Sequence, residues 1–95
     1  MAEYQITYWQ NIPSMAVFKD GDQIIKGIFS NRFQEAIDEA AMRLGETDSD
    51  AYLAGWHKSE WIQVSGDLAE INKEVITQFE NEFNSEKLAE ILNNL

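Results

Sequence analysis

The chain has 95 residues, which suits one domain, since a second independent core would be too small to be stable. Its 44% hydrophobic content and single proline exclude a disordered chain, and the absence of cysteine excludes disulfides and thiolate metal sites. The formal net charge of −10 makes nucleic acid and anionic membranes poor partners, because like charges repel. We therefore expect one domain over residues 1–95 that binds neither nucleic acid nor a membrane.

Three strands are predicted in the first third of the chain. Residues 4–9 are rich in aromatic and β-branched side chains, and residues 14–19 and 23–29 are two further strand candidates. The sequence Asp20-Gly21-Asp22 between the last two is a hairpin signal, because Asp-Gly readily supplies the positive φ of a tight turn. Gly27 is interpreted as a bulge or as the exit from the third strand.

An amphipathic helix is predicted over residues 30–45, and we expect the rest of the chain to pack against it. Ser30 is expected to cap its first turn with the hydroxyl group, and Gly45 to end it in the left-handed conformation. The apolar residues of this segment recur at intervals of three and four, so they share one stripe. They are Phe33, Ala36, Ile37, Ala40, Ala41 and Leu44.

A short helix and a fourth strand are predicted next. Asp48 or Ser49 is expected to cap a helix that runs through Tyr52 and Trp56, two aromatic residues that would share one helical face. Residues 58–64 are interpreted as a strand that ends before Ser65-Gly66.

Two helices complete the chain. Asp67 is predicted to cap the first, with Glu70 three residues later completing a capping box, and Ser85 to cap the second. The inner stripe of the first helix is Leu68, Ile71, Val75, Ile76, Phe79 and Phe83. The stripe of the second is Leu88, Ile91, Leu92 and Leu95.

The order of elements is therefore β-β-β-α-α-β-α-α. Consecutive strands joined by short turns form antiparallel sheets, and an amphipathic helix needs such a sheet to cover its apolar stripe. We predict an α+β fold with an antiparallel sheet of three to four strands and helices packed on one face. Whether the fourth strand pairs with the first or the third stays open.

No established catalytic or metal-binding motif occurs in the sequence. His57 is the only histidine, and a surface or capping role is the simplest interpretation because no partner residue would orient it. Asp48-Ser49-Asp50 begins like a calcium loop, but Leu53 occupies the required glycine position, so helix capping explains it better. We expect no catalytic residue, metal or cofactor. The sequence favours a protein that is not an enzyme, and catalysis stays the third alternative.

The three tryptophans allow two interpretations. Core packing is the simpler one, since aromatic side chains supply much of a small core. The alternative is a binding surface: alternation would turn Trp9 away from Ile6, and Trp61 would lie beside it if the fourth strand pairs with the first. The candidate binding residues are Trp9, Tyr52, Trp56, Trp61 and Arg32, the last as a cation for an anionic ligand.

Several short stretches form a recognisable set. They are Tyr4-Gln5-Ile6-Thr7-Tyr8-Trp9, Ile12-Pro13, Arg32-Phe33-Gln34-Glu35-Ala36-Ile37-Asp38, Ala40-Ala41-Met42, Asp50-Ala51-Tyr52-Leu53 and Trp56. In these residues the chain resembles the bacterial virulence factor domain, which also occurs in larger conserved virulence factor proteins with HEAT-type repeats. The resemblance spans residues 4–64, and the last third matches only as an acidic helical tail. It implies a stand-alone cytosolic bacterial protein and carries no reaction, cofactor or catalytic residue.

The negative charge is distributed unevenly along the chain. Residues 1–45 carry a formal charge of −2 and residues 46–95 carry −8. Solubility is the simpler explanation, although a basic protein partner is electrostatically easier. Residues 1–5 lack the basic and apolar segments of an export signal, and no apolar run reaches the roughly 20 residues that span a bilayer. We expect a soluble cytoplasmic protein.

Two functions from different classes remain. The leading hypothesis is a non-enzymatic interaction module, linked to virulence by the resemblance, that binds a protein partner through the sheet face or the Tyr52–Trp56 region. The alternative is a small-molecule-binding protein or an accessory subunit of a metabolic enzyme, in which Arg32 or Arg43 meets an anionic ligand. The partner, the process and the oligomeric state stay open.

Overall fold

The computed structural model describes residues 2–45 and 49–94, apart from the side chains of Ser49 and Ala51. Within this part of the chain there are five strands and four helices. The strands are β1 (Ala2–Trp9), β2 (Ile12–Asp20), β3 (Gln23–Ile28), β4 (Trp56–Lys58) and β5 (Ile62–Val64). The helices are α1 (Asn31–Arg43), α2 (Ser49–Ala54), α3 (Leu68–Glu82) and α4 (Ser85–Asn93). The predicted caps Asp48 and Ser49 and the predicted stripe residue Leu95 lie outside the described residues and side chains.

All the strands pair antiparallel in one sheet. Neighbours follow the order β3-β2-β1-β4, and β5 pairs with the edge of β1 that β4 also uses. The predicted α+β class with an antiparallel sheet is confirmed. The partner of the fourth strand, which the sequence left open, is the first strand.

The prediction of one strand over residues 58–64 is wrong, because regular pairing with β1 stops at Ser59, whose backbone N–H still donates to the carbonyl of Ile6 at 2.8 Å. Thr7 pairs with Lys58 and Tyr4 pairs with Ile62, so three steps on β1 correspond to four steps on the facing chain. At the interruption the hydroxyl of Ser59 accepts the backbone N–H of Ile6 at 3.0 Å. A side chain therefore takes the place of a backbone carbonyl, and this divides the predicted strand into β4 and β5.

The first part of the core lies between one face of the sheet and α3. Alternate strand residues supply one side of it, since side chains two apart share a face. The buried residues of this cluster are Ala2, Ile6, Ala16, Phe18, Leu68, Ile71 and Val75. The predicted stripe of α3 is confirmed in Leu68, Ile71 and Val75, whereas Phe79 and Phe83 are half-buried.

The second part of the core lies where β1 ends and β2 begins. Here the apolar stripe of α1 packs against strand residues and α4. The buried residues are Trp9, Ile12, Ala36, Ile37, Ala40, Ala41 and Leu88. The predicted stripe of α1 is confirmed except for Leu44, which follows the last helical residue and is exposed. In the described part of the chain no helix is long and apolar enough to cross a membrane.

Two of the predicted helix ends are correct and two are wrong. The carboxylate of Asp67 accepts the N–H of Glu70, and Gly45 ends α1 with a φ of +70°, both as predicted. The prediction for Ser85 is wrong, because Asn84 caps α4 by accepting the N–H of Lys87 at 2.9 Å. Ser30 occupies the cap position of α1, but its hydroxyl donates to Glu80 at 2.8 Å instead of capping the helix.

Gly27 is neither a bulge nor a strand exit, because it pairs regularly with Ala16. A Cβ at this position would lie 2.6 Å from Oδ1 of Asn72 and 2.9 Å from Cδ1 of Ile76. Both contacts are closer than packed atoms tolerate, so the glycine lets α3 approach the sheet.

Candidate functional site

Three of the predicted site residues form one aromatic cluster, and it belongs to the core. Trp9 is 0% exposed, and its ring centroid lies 5.7 Å from that of Tyr52. Trp56, the first residue of β4 and not part of the short helix as predicted, meets Tyr52 edge-on at 5.9 Å. The expected exposed pair of Trp9 and Trp61 is wrong, because Trp9 is buried in the second part of the core and its partner on the neighbouring strand is Trp56.

Arg32, the predicted cation for a ligand, holds the C-terminal end of α3. Its Nη2 donates to the backbone carbonyl of Glu80 at 2.6 Å, and its Nε donates to the carbonyl of Phe83 at 3.3 Å. The carboxylate of Glu80 lies 2.7 Å from the same guanidinium group. A cation at a helix C-terminus satisfies carbonyls that have no helical partner and complements the helix dipole.

Arg43 holds the end of α4 in the same way. Its Nη1 donates to the backbone carbonyl of Leu92 at 3.2 Å, and its Nε bonds the carboxylate of Glu39 at 3.1 Å. Both arginines of α1 are therefore engaged by another helix and by a carboxylate.

His57 also has a structural environment. Its Nε2 lies 2.7 Å from the backbone carbonyl of Gln10, and its ring stacks on Tyr8 at 5.4 Å. Burial, together with the nearby carboxylate of Glu82, raises the pKa of Tyr8, so its phenol stays neutral. Among the described residues no group of three or more His, Asp or Glu side chains could hold a metal ion.

The face of the sheet that points away from α3 is open to solvent. Its strand residues follow from the pairing register, because directly opposed residues share a face. The set comprises Glu3, Gln5, Thr7, Met15, Val17, Lys19, Ile24, Lys26, Ile28, Lys58 and Gln63. None of them is buried. We call this surface, together with Trp61, the open face.

Trp61 is joined to the open face through Lys19. The ammonium group of Lys19 lies 4.2 Å from the centroid of the Trp61 ring and 3.1 Å from the carboxylate of Glu3. The side-chain amide of Gln63 donates to the same carboxylate at 2.6 Å. The hydrogen bond from Lys19 is the largest influence that lowers the pKa of Glu3 below its ordinary value.

The open face differs from the whole chain in the sign of its charge. Three of the five lysines lie on it, namely Lys19, Lys26 and Lys58, and Glu3 is its only acidic strand residue. Its strand residues therefore carry a formal charge of +2 in a chain whose net charge is −10. A local excess of positive charge attracts acidic partner surfaces and repels basic ones.

A family model described as virulence factor matches residues 7–92 of the chain, which is nearly its whole length. The chain belongs to the virulence factor family. No curated protein and no solved structure matches it. The match extends well beyond residue 64, so α3 and α4 are part of this virulence factor domain and not an unrelated acidic tail. The family description states an association with virulence and names no reaction.

Sequence reasoning had placed Trp61 among the candidates but missed the isoleucines of the open face of this virulence factor domain. Ile24 and Ile28 are 65% and 80% exposed. Apolar residues occupy both alternations of β3, since Ile24 and Ile25 are adjacent. Periodicity therefore could not show which of them faces α3. The available signal was Gly27, whose missing side chain marks the face that α3 approaches.

Proposed function

We propose that this virulence factor domain is a non-enzymatic protein-interaction module that binds its partner through the open face. The observation that carries the proposal is the exposure of Ile24, Ile28 and Trp61 on one side of the sheet, at 65%, 80% and 37%. Large apolar side chains gathered on one surface are characteristic of protein–protein contact sites. Tryptophan is, in addition, enriched among the residues that contribute most to binding energy.

The proposed partner has an acidic contact surface. The net charge of the chain favours a basic partner, but the three lysines of the open face reverse this preference locally. Charges at the rim of an apolar contact guide association and select against partners of like charge. The proposed compartment is the cytoplasm, which is consistent with a chain that contains no cysteine.

The small-molecule alternative has less support. Arg32 and Arg43, the cations proposed for an anionic ligand, are each paired with a carboxylate and with helix-terminal carbonyls. A cleft of about 220 Å³ remains between α1 and α4, lined in part by Arg32, Ala36 and Leu88. A thermal-shift screen with common anionic metabolites tests it, because a ligand of the folded state raises the unfolding temperature.

The proposed function is tested by affinity capture from a lysate of the source organism with the tagged full chain. Trp61→Ala removes the aromatic group of the open face, and Gln78→Ala, at an exposed position of α3, is the matched control. We expect a protein that is retained by the wild type and by Gln78→Ala, lost with Trp61→Ala and weakened by added salt.

Two results would contradict the proposal. Capture of the same proteins by all variants would show that the open face is not used. Loss of the partner with Trp56→Phe, but not with Trp61→Ala, would move the binding site to the Tyr52–Trp56 region.

A further inference from the structure

β3 forms one edge of the sheet. In the described part of the chain only β2 pairs with it, so its outer edge has no strand partner. The strand is six residues long, contains no proline and has one charged side chain, Lys26. Natural proteins usually protect such edges, because an unpaired row of backbone groups accepts another strand.

The backbone groups that lie free on this edge belong to the residues of the open face. A two-residue turn joins β2 to β3, and the pair that closes it, Asp20 and Gln23, is hydrogen-bonded in such hairpins. Hydrogen-bonded and non-hydrogen-bonded pairs alternate from there. The N–H and C=O groups of Ile24, Lys26 and Ile28 therefore point outward, away from β2.

We propose that the outer edge of β3 accepts an extended strand of the partner protein, with an acidic residue between two apolar residues at two-residue spacing. This inference rests on the proposed function, since it specifies how the partner enters the open face. An added strand lies about 4.8 Å from β3 and places its alternate side chains beside Ile24, Lys26 and Ile28. Apolar side chains would cover the two isoleucines, and a carboxylate would meet Lys26.

A second copy of this chain fits the edge less well. In the antiparallel register that opposes Ile24 of each copy to Ile28 of the other, Lys26 lies opposite Lys26, and like charges directly opposite are unfavourable. Each copy also carries a net charge of −10, which opposes association. A strand from a different, acidic protein has neither disadvantage.

The test uses the full chain and a displayed library of short random linear peptides. We expect the selected peptides to share the apolar–x–acidic–x–apolar pattern. On binding of the best peptide to isotope-labelled protein, amide exchange at Ile24, Lys26 and Ile28 should slow by at least about tenfold. The amides of Ile25 and Gly27 face β2 and should change much less.

Two variants separate the backbone contribution from the side chain. Ile28→Pro removes one outward N–H, and the preceding Gly27 tolerates a following proline because it has no Cβ. Ile28→Ala removes the side chain but keeps the N–H. We expect the proline variant to bind the peptide about two- to tenfold more weakly than the alanine variant, which corresponds to one hydrogen bond. Thermal unfolding verifies that both variants are folded.

Several outcomes would overturn strand addition. They are selected peptides without the pattern, no selected peptide at all, equal binding by the two Ile28 variants, and dimerisation of the free chain through β3. Preferential binding of single-stranded DNA at the open face would also overturn it. The proposed function is judged separately by capture with Trp61→Ala. If the wild type retains a partner that Trp61→Ala loses, the proposed function is supported even when the peptide experiments contradict strand addition.

Discussion

The indole Nε1 of Trp9 donates a hydrogen bond to the backbone carbonyl of Tyr52 at 2.8 Å. The bond joins the last residue of β1 to a residue of α2 that lies 43 positions later in the sequence. It explains why the most buried tryptophan also has its polar atom satisfied, as buried indoles generally do. Trp9 and Tyr52, which the sequence offered as candidate surface residues, instead connect the sheet to a helix.

Trp9→Phe should destabilise the fold. The phenyl ring lacks the N–H donor and leaves part of the indole volume empty, so we expect a loss of about 1–3 kcal/mol in the free energy of unfolding. Chemical denaturation measures this loss. The matched change Trp61→Phe on the open face should stay within about 0.5 kcal/mol of the wild type. Equal losses for the two variants would contradict the burial of Trp9.

Gly55→Ala should destabilise the same region by overpacking. A Cβ on residue 55 would lie 2.6 Å from Nε1 and 2.7 Å from Cε2 of Trp9, whose ring is fully buried and cannot move aside. We expect a loss of about 1–3 kcal/mol, measured by denaturation. Ala54→Ser, at the exposed neighbouring position, is the control and should be nearly neutral. An unchanged midpoint for Gly55→Ala would show that the contact is not close.

Arg32→Lys should weaken the junction between α1 and α3. Lysine keeps the charge but cannot span the carbonyls of Glu80 and Phe83 as the forked guanidinium does. We expect a loss of about 1–2 kcal/mol in unfolding free energy. Arg43→Lys, at a more exposed position, should cost less than about 0.5 kcal/mol. If Arg32→Lys were neutral for stability but impaired binding of an anionic metabolite, the ligand interpretation of Arg32 would be correct.

Lys19→Met should raise the pKa of Glu3 toward its ordinary value. The Lys19 ammonium group lies 3.1 Å from the carboxylate and is the largest influence that lowers this pKa. Carbon-detected NMR titration of the Glu3 side chain measures the change. A pKa that stays lowered in Lys19→Met would assign the effect to Gln63, which bonds the same carboxylate.

The interaction of Glu3 with Lys19 also makes the stability of the fold depend on pH. Glu3 has a lower pKa in the folded protein than in the unfolded chain, so its contribution to stability is present above the ordinary value of 4.5. The contribution is lost as the pH falls through the lowered pKa. Acid titration of the unfolding free energy should therefore show a smaller fall in this range for Lys19→Met than for the wild type.

Ile28→Ala and Ile6→Ala should differ strongly, because the two isoleucines lie on opposite faces of the sheet. Ile6 is 1% exposed and packs under α3, so its truncation should cost about 2–5 kcal/mol. Ile28 is 80% exposed, and its truncation should change the unfolding free energy by less than about 0.5 kcal/mol. Denaturation curves of the two variants measure which face is open. A large cost at Ile28 would show that this face is covered.

Much of the candidate site could not be predicted, and β3 shows why. Its apolar residues follow no single alternation, so the pattern does not state which ones α3 covers. Trp61 was a correct candidate for exposure, but its neighbour is Lys19 and not Trp9. That neighbour depends on the interruption of pairing at Ser59, where a side chain replaces a backbone partner. No propensity of the segment 58–64 shows such an interruption.

By itself, the sequence determined the α+β class, the first three strands, the stripe of α1 and the cap of α3. These features depend on hydrophobic periodicity and helix capping, which involve only residues that are close together in the sequence. Only the tertiary structure decided that Trp9 is core, that Arg32 holds the end of α3 and that the open face is basic. The contacts of Trp9 and Arg32 join residues 43 to 51 positions apart. Such contacts are specified by how whole elements pack, because no short segment contains both partners.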